Sequence, residues 1–417
     1  MIGLTLANIQ PVLKVLYPFG LKKVLYENCP TLALMPKRTD LGGEYTKVPI
    51  MFSNSPTGSA SDTVAFSNSV TGGPSLAAFQ ITPGYNYVKG LLNGVTMAAS
   101  KGDKQAVISA LKLTIDSMQN TMARSIANYL LGNGLGARGV IGAATNVATP
   151  NLVLADPDSV VNFEVGMVLE LVSGGNVEAG TLTISAINRD TGVLTMSGNI
   201  SAGVATAAVG DTVIRRGDCG DVQAVAPAAV QQLLPQGMDA WVPSTAPGAT
   251  SFFGVNRSTD VTRLGGIRIT GGGAPIEETL IKAAMRIYRE GGKPNAVLMN
   301  PTDFGNLEVS LGSKVQYMRG KVQGSGDAGD IGFDTIRVHG PAGVIDVVAE
   351  PNLGQGRGKV VQWNTWTHWS VGSFPDFLME DGNKLLRTAG NDSYEIRMGG
   401  YPQVSCSAPG YNADVTW

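Results

Sequence analysis

Between Asp103 and Leu131 the chain carries one long amphipathic stripe. Ile108, Leu111, Ile115, Met118, Met122, Ile126 and Tyr129 recur at spacings of three and four residues, the period of a helix that buries one face. At about 1.5 Å per residue the helix is roughly 43 Å long. A rod of that length with a single apolar stripe has to lie over a sheet or pair with another helix. Asp103 suits the positive end of the helix dipole and Gly132 supplies a stop. Lys112, Asp116, Gln119, Asn120, Arg124 and Asn128 form the polar side. The next phrase, GNGLGARG, contains a GxGxxG at Gly134, Gly136 and Gly139. A dinucleotide fingerprint must leave a strand and open a helix. This one leaves a helix, and it reads as a glycine-rich exit loop.

Upstream, the stretch from Val48 to Val88 holds a single charged residue, Asp62, where average composition supplies roughly ten. Thr46, Val48, Ile50 and Phe52 alternate as one strand face, and Phe79 with Ile81 begins a second strand. Between them lie Ser, Asn, Thr and Gly with scattered Val64, Phe66 and Val70. A flexible linker has this composition, but the flanking alternation favours a long hairpin laid across other subunits. The whole chain points the same way. Of its 417 residues only 15% are charged, against about 25% in an average soluble protein. A chain with so few charges is expected to hide surface in lasting contacts.

Residues 1–45 read as an arm of short apolar pieces, with Val12, Leu13 and Leu16 among its candidate contacts, broken by Pro11, Pro18, Pro30 and Pro36. Its apolar start is interrupted by Gln10, Pro11, Lys14 and Pro18 and has no basic leader, so neither a secretion signal nor a membrane span is expected. Residues 145–217 form a run of short strands with a turn at Arg189-Asp190-Thr191-Gly192, which reads as a small inserted β domain. From about 220 the pattern is mixed α and β. A helix carries Ile276, Leu280, Ala284 and Ile287; Ala296 to Met299 is a buried strand; Asn300-Pro301-Thr302-Asp303 is a helix start. Val361, Trp363, Thr365, Thr367, Trp369 and Val371 alternate as one face of a strand, with Trp366 and His368 on the other. No fixed-period repeat is present.

Candidates for chemistry are few. The net charge of -2 provides no basic field for sequence-independent nucleic-acid binding. The three cysteines, Cys29, Cys219 and Cys406, are far apart and fit no disulfide framework or CxxC pair, and Cys406 reads as a small buried hydrophobe. His339 and His368 fall on polar strand faces with no ligand-spaced Cys, His or carboxylate. Glu277-Glu278 and Glu380-Asp381 are ordinary acidic pairs at a helix start and a turn. No catalytic, cofactor or metal site is expected, and one aromatic residue, Phe163, in the β region argues against a stacking platform.

The order of these parts, with the phrases FQITPGYNYVKGLLNGVTMAASKGDKQAVISALKLTIDSMQNTMARSIANYLLGNGLGARGVIG, AVLMNPTDFGNLE, VVAEPNLGQGRGKVVQWNTW and YEIRMGGYPQVSCSAPGYN, resembles the major capsid protein of tailed bacteriophages, the Hong Kong 97-type capsid fold. The resemblance covers most of the chain outside the β region and lies in the order of parts more than in any strict signature. It implies an α+β fold. Residues 1–45 would be the N-terminal arm, 46–95 an extended β-hairpin loop, and 96–144 a peripheral domain built on the long spine helix. Residues 145–217 would be the inserted β domain, 218–390 an axial α/β domain, and 391–417 C-terminal strands returning to the peripheral and axial sheets. Ile108, Leu111, Ile115, Met118, Met122 and Ile126 would pack the spine, and Val64, Phe66, Val70 and Phe79 would meet neighbouring subunits.

The function so implied is a shell subunit that assembles into hexamers and pentamers around double-stranded DNA. Portal, scaffolding and decoration proteins would be its partners and the virion head its place, after assembly in the bacterial cytoplasm, with no membrane involved. No charged helical extension precedes the arm, so a separate scaffolding protein is expected. In one branch of the family a loop lysine crosslinks to a neighbour's asparagine. Here no lysine lies between Lys47 and Lys89, so a non-covalent shell is expected. An encapsulin-type compartment shares the fold and stays open as an alternative, as does a β-rich tail-associated hydrolase.

Overall fold

The computed structural model describes residues 29–94, 104–220, 228–311, 336–341, 343–379, 382–388 and 390–417, with the backbone alone at 71, 104–113, 228 and 311. Val12, Leu13 and Leu16 therefore lie outside the described residues, as do the side chains of Ile108 and Leu111. A short helix, α1 (Pro30–Leu34), opens with proline at its first position, where the missing N–H costs nothing. The strands Thr46–Ser53 and Ser75–Ile81 pair antiparallel. The segment between them contains a helix, α2 (Asp62–Thr71), where the sequence suggested a plain hairpin. The spine helix is α3 (Lys104–Leu131). Over it lies a four-stranded sheet in which Asn86–Asn93 pairs along its length with Ser393–Gly400. Gly90 permits that approach, because a Cβ there would stand 2.5 Å from Met118 Sδ. Ile115, Met118, Met122, Ile126 and Tyr129 are buried in one core with Leu92, Ile396 and Met398.

An eight-stranded sheet then runs from Ala137–Val140 to Ala228–Ala229 with its own apolar core around Leu152, Phe163, Leu171 and Leu194. It is wider than residues 145–217, because Ala137–Val140 pairs with Thr212–Arg215 and Ala228–Ala229 with Asn176–Val177. The turn at 189–192 is held by Asn188 Oδ1, which accepts from the backbone N–H of Asp190 and Thr191. A six-stranded sheet follows, in the order Ile267–Thr270, Ala413–Thr416, Arg357–Val361, Ala296–Met299, Gly343–Ala349, Ile336–Gly340. Helix α4 (Ile276–Arg289) seats Leu280, Ala283, Ala284 and Ile287 against it. Helix α5 (Pro301–Leu311) starts at Asn300, whose Oδ1 accepts from Thr302 N at 2.8 Å. The alternating run from Val361 to Val371 is two strands and not one. A 3₁₀ turn at Trp363–Thr365 ends Arg357–Val361 and sends Trp366–Ser370 to pair with Pro402–Cys406.

Candidate functional site

The feature that stands out from the body of the subunit is the loop carried by Thr46–Ser53 and Ser75–Ile81. Its two-residue period divides it into unlike faces. Val48, Ile50, Phe79 and Ile81 are buried, while Met51 is 58% and Leu76 70% exposed. Helix α2 adds Val64, Phe66 at 72% and Val70 at 73% exposure. The base is held by an aromatic cluster. Phe79 meets Trp241 edge-on at 4.8 Å and Phe252 at 6.2 Å, Trp241 Nε1 donates to the Val404 carbonyl at 3.0 Å, and the Arg257 guanidinium sits 3.9 Å from the Phe252 ring centre. Gln80 N donates to the Phe253 carbonyl at 2.8 Å and Arg263 Nη1 to the Phe52 carbonyl at 2.7 Å. The loop is thus rooted at its base and carries scattered exposed apolar side chains on a nearly uncharged surface.

Phe79 corrects the sequence expectation that grouped it with Val64, Phe66 and Val70. It is 0% exposed, because its strand position points it under Trp241, and it cannot meet a neighbour. Met51 and Leu76 were missed. Their signal was present, since each alternates with the buried positions of its own strand.

The rest of the body is tied by buried polar groups. Lys359 Nζ lies 2.6 Å from Asp414 Oδ1 and 2.5 Å from Asp239 Oδ1, and donates to the Val242 carbonyl at 3.0 Å. Arg357 pairs with both aspartates at 3.0 Å. Burial pushes the Asp239 carboxyl up, but Lys359 and Arg357 outweigh it and hold it below its ordinary value. The eight-stranded sheet is fastened to the spine by Arg124 on Glu164, which Arg189 also reaches, and to α5 by Thr302 Oγ1 donating to Asp158 Oδ2 at 3.0 Å. At its base, burial lowers Arg138 to about 10 against the opposing pull of Asp218.

Among the described residues, which leave out Glu380 and Asp381, none of those considered for catalysis is assembled into an active group. His368 is buried against Tyr129, with Nε2 2.8 Å from the phenol oxygen, and does not occupy the exposed face its strand pattern suggested. His339 is exposed on the edge strand Ile336–Gly340. Burial pushes the Cys406 thiol up to about 12 and, with Asp218 and Glu170 nearby, the Cys219 thiol to about 12 as well. Such thiols are poor nucleophiles. Among the described residues no group of three or more His, Cys, Asp or Glu could hold a metal ion, and no helix is long and apolar enough to cross a membrane.

No family model matches the chain, and no curated protein matches it in sequence. Solved structures do. A chain of the cyanophage A-1(L) capsid asymmetric unit aligns over 93% of this chain and 92% of its own length, with 11% identity and a TM-score of 0.51. A capsid chain of the native GTA particle aligns over 93% and 89% at 10% identity and a TM-score of 0.41. The SrpI encapsulin of Synechococcus elongatus PCC 7942 aligns over 92% and 85% at 9% identity and a TM-score of 0.38. The first likeness identifies the architecture: this chain has the α+β Hong Kong 97-type capsid fold.

Proposed function

We propose that this chain is the non-enzymatic building block of a protein shell, whose copies join into hexamers and pentamers and close an icosahedral phage head around double-stranded DNA. The observation that carries this reading is the likeness in fold, over 93% of the chain, to a chain solved within a capsid. The rooted loop supports it, since Met51, Val64, Phe66, Val70 and Leu76 are exposed together on a segment with one charge. A neighbour's surface is the natural cover for them. An uncharged loop can settle on non-identical neighbours without leaving buried ions unpaired. With no lysine between Lys47 and Lys89, the shell is held by buried area and strand pairing.

On this reading α3 is the spine of a peripheral domain, the six-stranded sheet with α4 and α5 is the axial domain near the capsomer centre, and the eight-stranded sheet is an inserted domain. Portal, scaffolding and decoration proteins complete the particle in the host cytoplasm. Negative-stain microscopy of the expressed full chain tests it. Capsomer rings or uniform closed shells are the expected outcome, and dispersed monomers at high concentration would overturn it. Shells that hold a cargo protein and no DNA would move the assignment to an encapsulin-type compartment.

A further inference from the structure

Residues 29–41 cross the body of the subunit and are gripped at three points. Thr31 donates to the buried Glu350 carboxylate from its hydroxyl at 2.6 Å and its backbone N–H at 3.2 Å. Lys37 and Arg38 lie in parallel register with His368 and Trp369, and His368 N donates to the Pro36 carbonyl at 2.8 Å. Leu41 N donates to the Ser370 carbonyl at 3.3 Å. The centre of the grip is the His368 ring. It touches the Tyr129 phenol of the spine helix at 2.8 Å and stacks on Phe374 with ring centres 5.8 Å apart. Among the described residues, the titratable groups around it offer no counter-charge. Tyr129 from α3 and Cys29 from the crossing segment are both fully buried and pushed well above their ordinary values. Cys406 from the neighbouring strand is raised to about 12, and Lys37 on the crossing segment is itself a cation.

We propose that His368 is a proton-operated clasp: charging its ring opens the junction of the spine helix, strand Trp366–Ser370 and residues 29–41, and frees that segment from the body. Burial first, and then the charge of Lys37, hold the closed ring down at about 3. In the opened junction the ring meets water and titrates near its ordinary ~6.5. Between these values the open form binds a proton that the closed form does not, so falling pH favours opening by about tenfold per pH unit. Glu350 works in the opposite sense. Burial raises its pKa even though Thr31 and Asn352 donate to it, so its protonation favours the closed form and cannot mimic the effect.

The test is the set of hydrogen-exchange protection factors of residues 29–41, corrected for intrinsic rate, on the unassembled full chain between about pH 6.5 and about pH 4.5, each variant read against wild type because ordinary carboxylates begin to titrate toward the lower end. The ratio of wild-type to His368→Gln protection should fall about tenfold per pH unit, because Glu350 acts alike in both. His368→Gln, which keeps a neutral polar contact to Tyr129, leaves only the opposite dependence of Glu350, so its own protection should hold or rise as pH falls, and His339→Gln on the exposed edge strand should leave the wild-type profile. Lys37→Gln removes the opposing charge and so raises the closed ring toward its ordinary value, so its fall should be shallower and end at a higher pH, which keeps the test decisive if His368→Gln fails to fold. Parallel profiles in wild type and His368→Gln, or, where His368→Gln does not fold, in wild type and Lys37→Gln, would overturn the clasp. The readout is on single subunits, so it stands or falls apart from shell formation.

Discussion

Glu350 and Thr31 are 319 positions apart and meet in a fully buried contact at 2.6 Å. Nothing local to either residue announces it. A buried carboxylate is expensive unless it is hydrogen-bonded, and Thr31 supplies two of its donors. Thr31→Val keeps the shape and leaves the carboxylate short of one, so it should cost about 1–3 kcal/mol, read as a lower urea midpoint with an unchanged slope. His368 shows the same limit of legibility. Its alternation with Trp369 separates two faces, but both residues are buried, and His368 is covered by Tyr129 from a helix 239 positions away. Cys406, by contrast, is legible as a small buried hydrophobe from its place between Val404 and Ala408.

The spine helix is the element most open to sequence, since a three-four spacing sustained through α3 has one stable interpretation. The hairpin strands were legible by their period of two, and helix α2 was not. Asp62 and Ser61 are reasonable start residues, but the Ser, Asn and Thr that follow compete with the helix through their own hydrogen bonds, as Ser69 does by donating to the Phe66 carbonyl at 2.7 Å. The 3₁₀ turn at Trp363–Thr365 was hidden for another reason. Thr365 donates to the Gln362 carbonyl at 2.7 Å, and Thr and Trp are equally at home in strands. The loop's two faces make opposite predictions. Phe79→Ala empties the aromatic root and should destabilise the subunit by about 3–5 kcal/mol, measured by denaturant unfolding. Phe66→Ala should change subunit stability by no more than about 0.5 kcal/mol and yet reduce particle yield in sedimentation; normal particles from it would remove α2 from the proposed interface.

For the molecule as a whole, the low charge is most extreme in one stretch, although the rest of the chain is also poor in charge. The charged residues of the body are largely engaged, as Arg357, Lys359, Asp239 and Asp414 are with one another, whereas the stretch Val48–Val88 has almost none. If the loop makes the principal contact between subunits, assembly should be nearly indifferent to salt from about 0.1 M to about 1 M, although the Debye length falls from about 10 Å to about 3 Å. Light scattering during assembly would check this, and a steep loss at high salt would point to charged contacts instead. The six-stranded sheet has a consequence in time. Ala413–Thr416 lies inside it, between Ile267–Thr270 and Arg357–Val361, so a nascent chain that has not reached Ala413 lacks the strand that joins one edge of the sheet to the rest. Folding of that layer waits for translation to arrive there, and a subunit interrupted earlier carries two open strand edges in place of a finished sheet. A chain stopped short of Ala413 is thereby marked by a sheet it cannot complete.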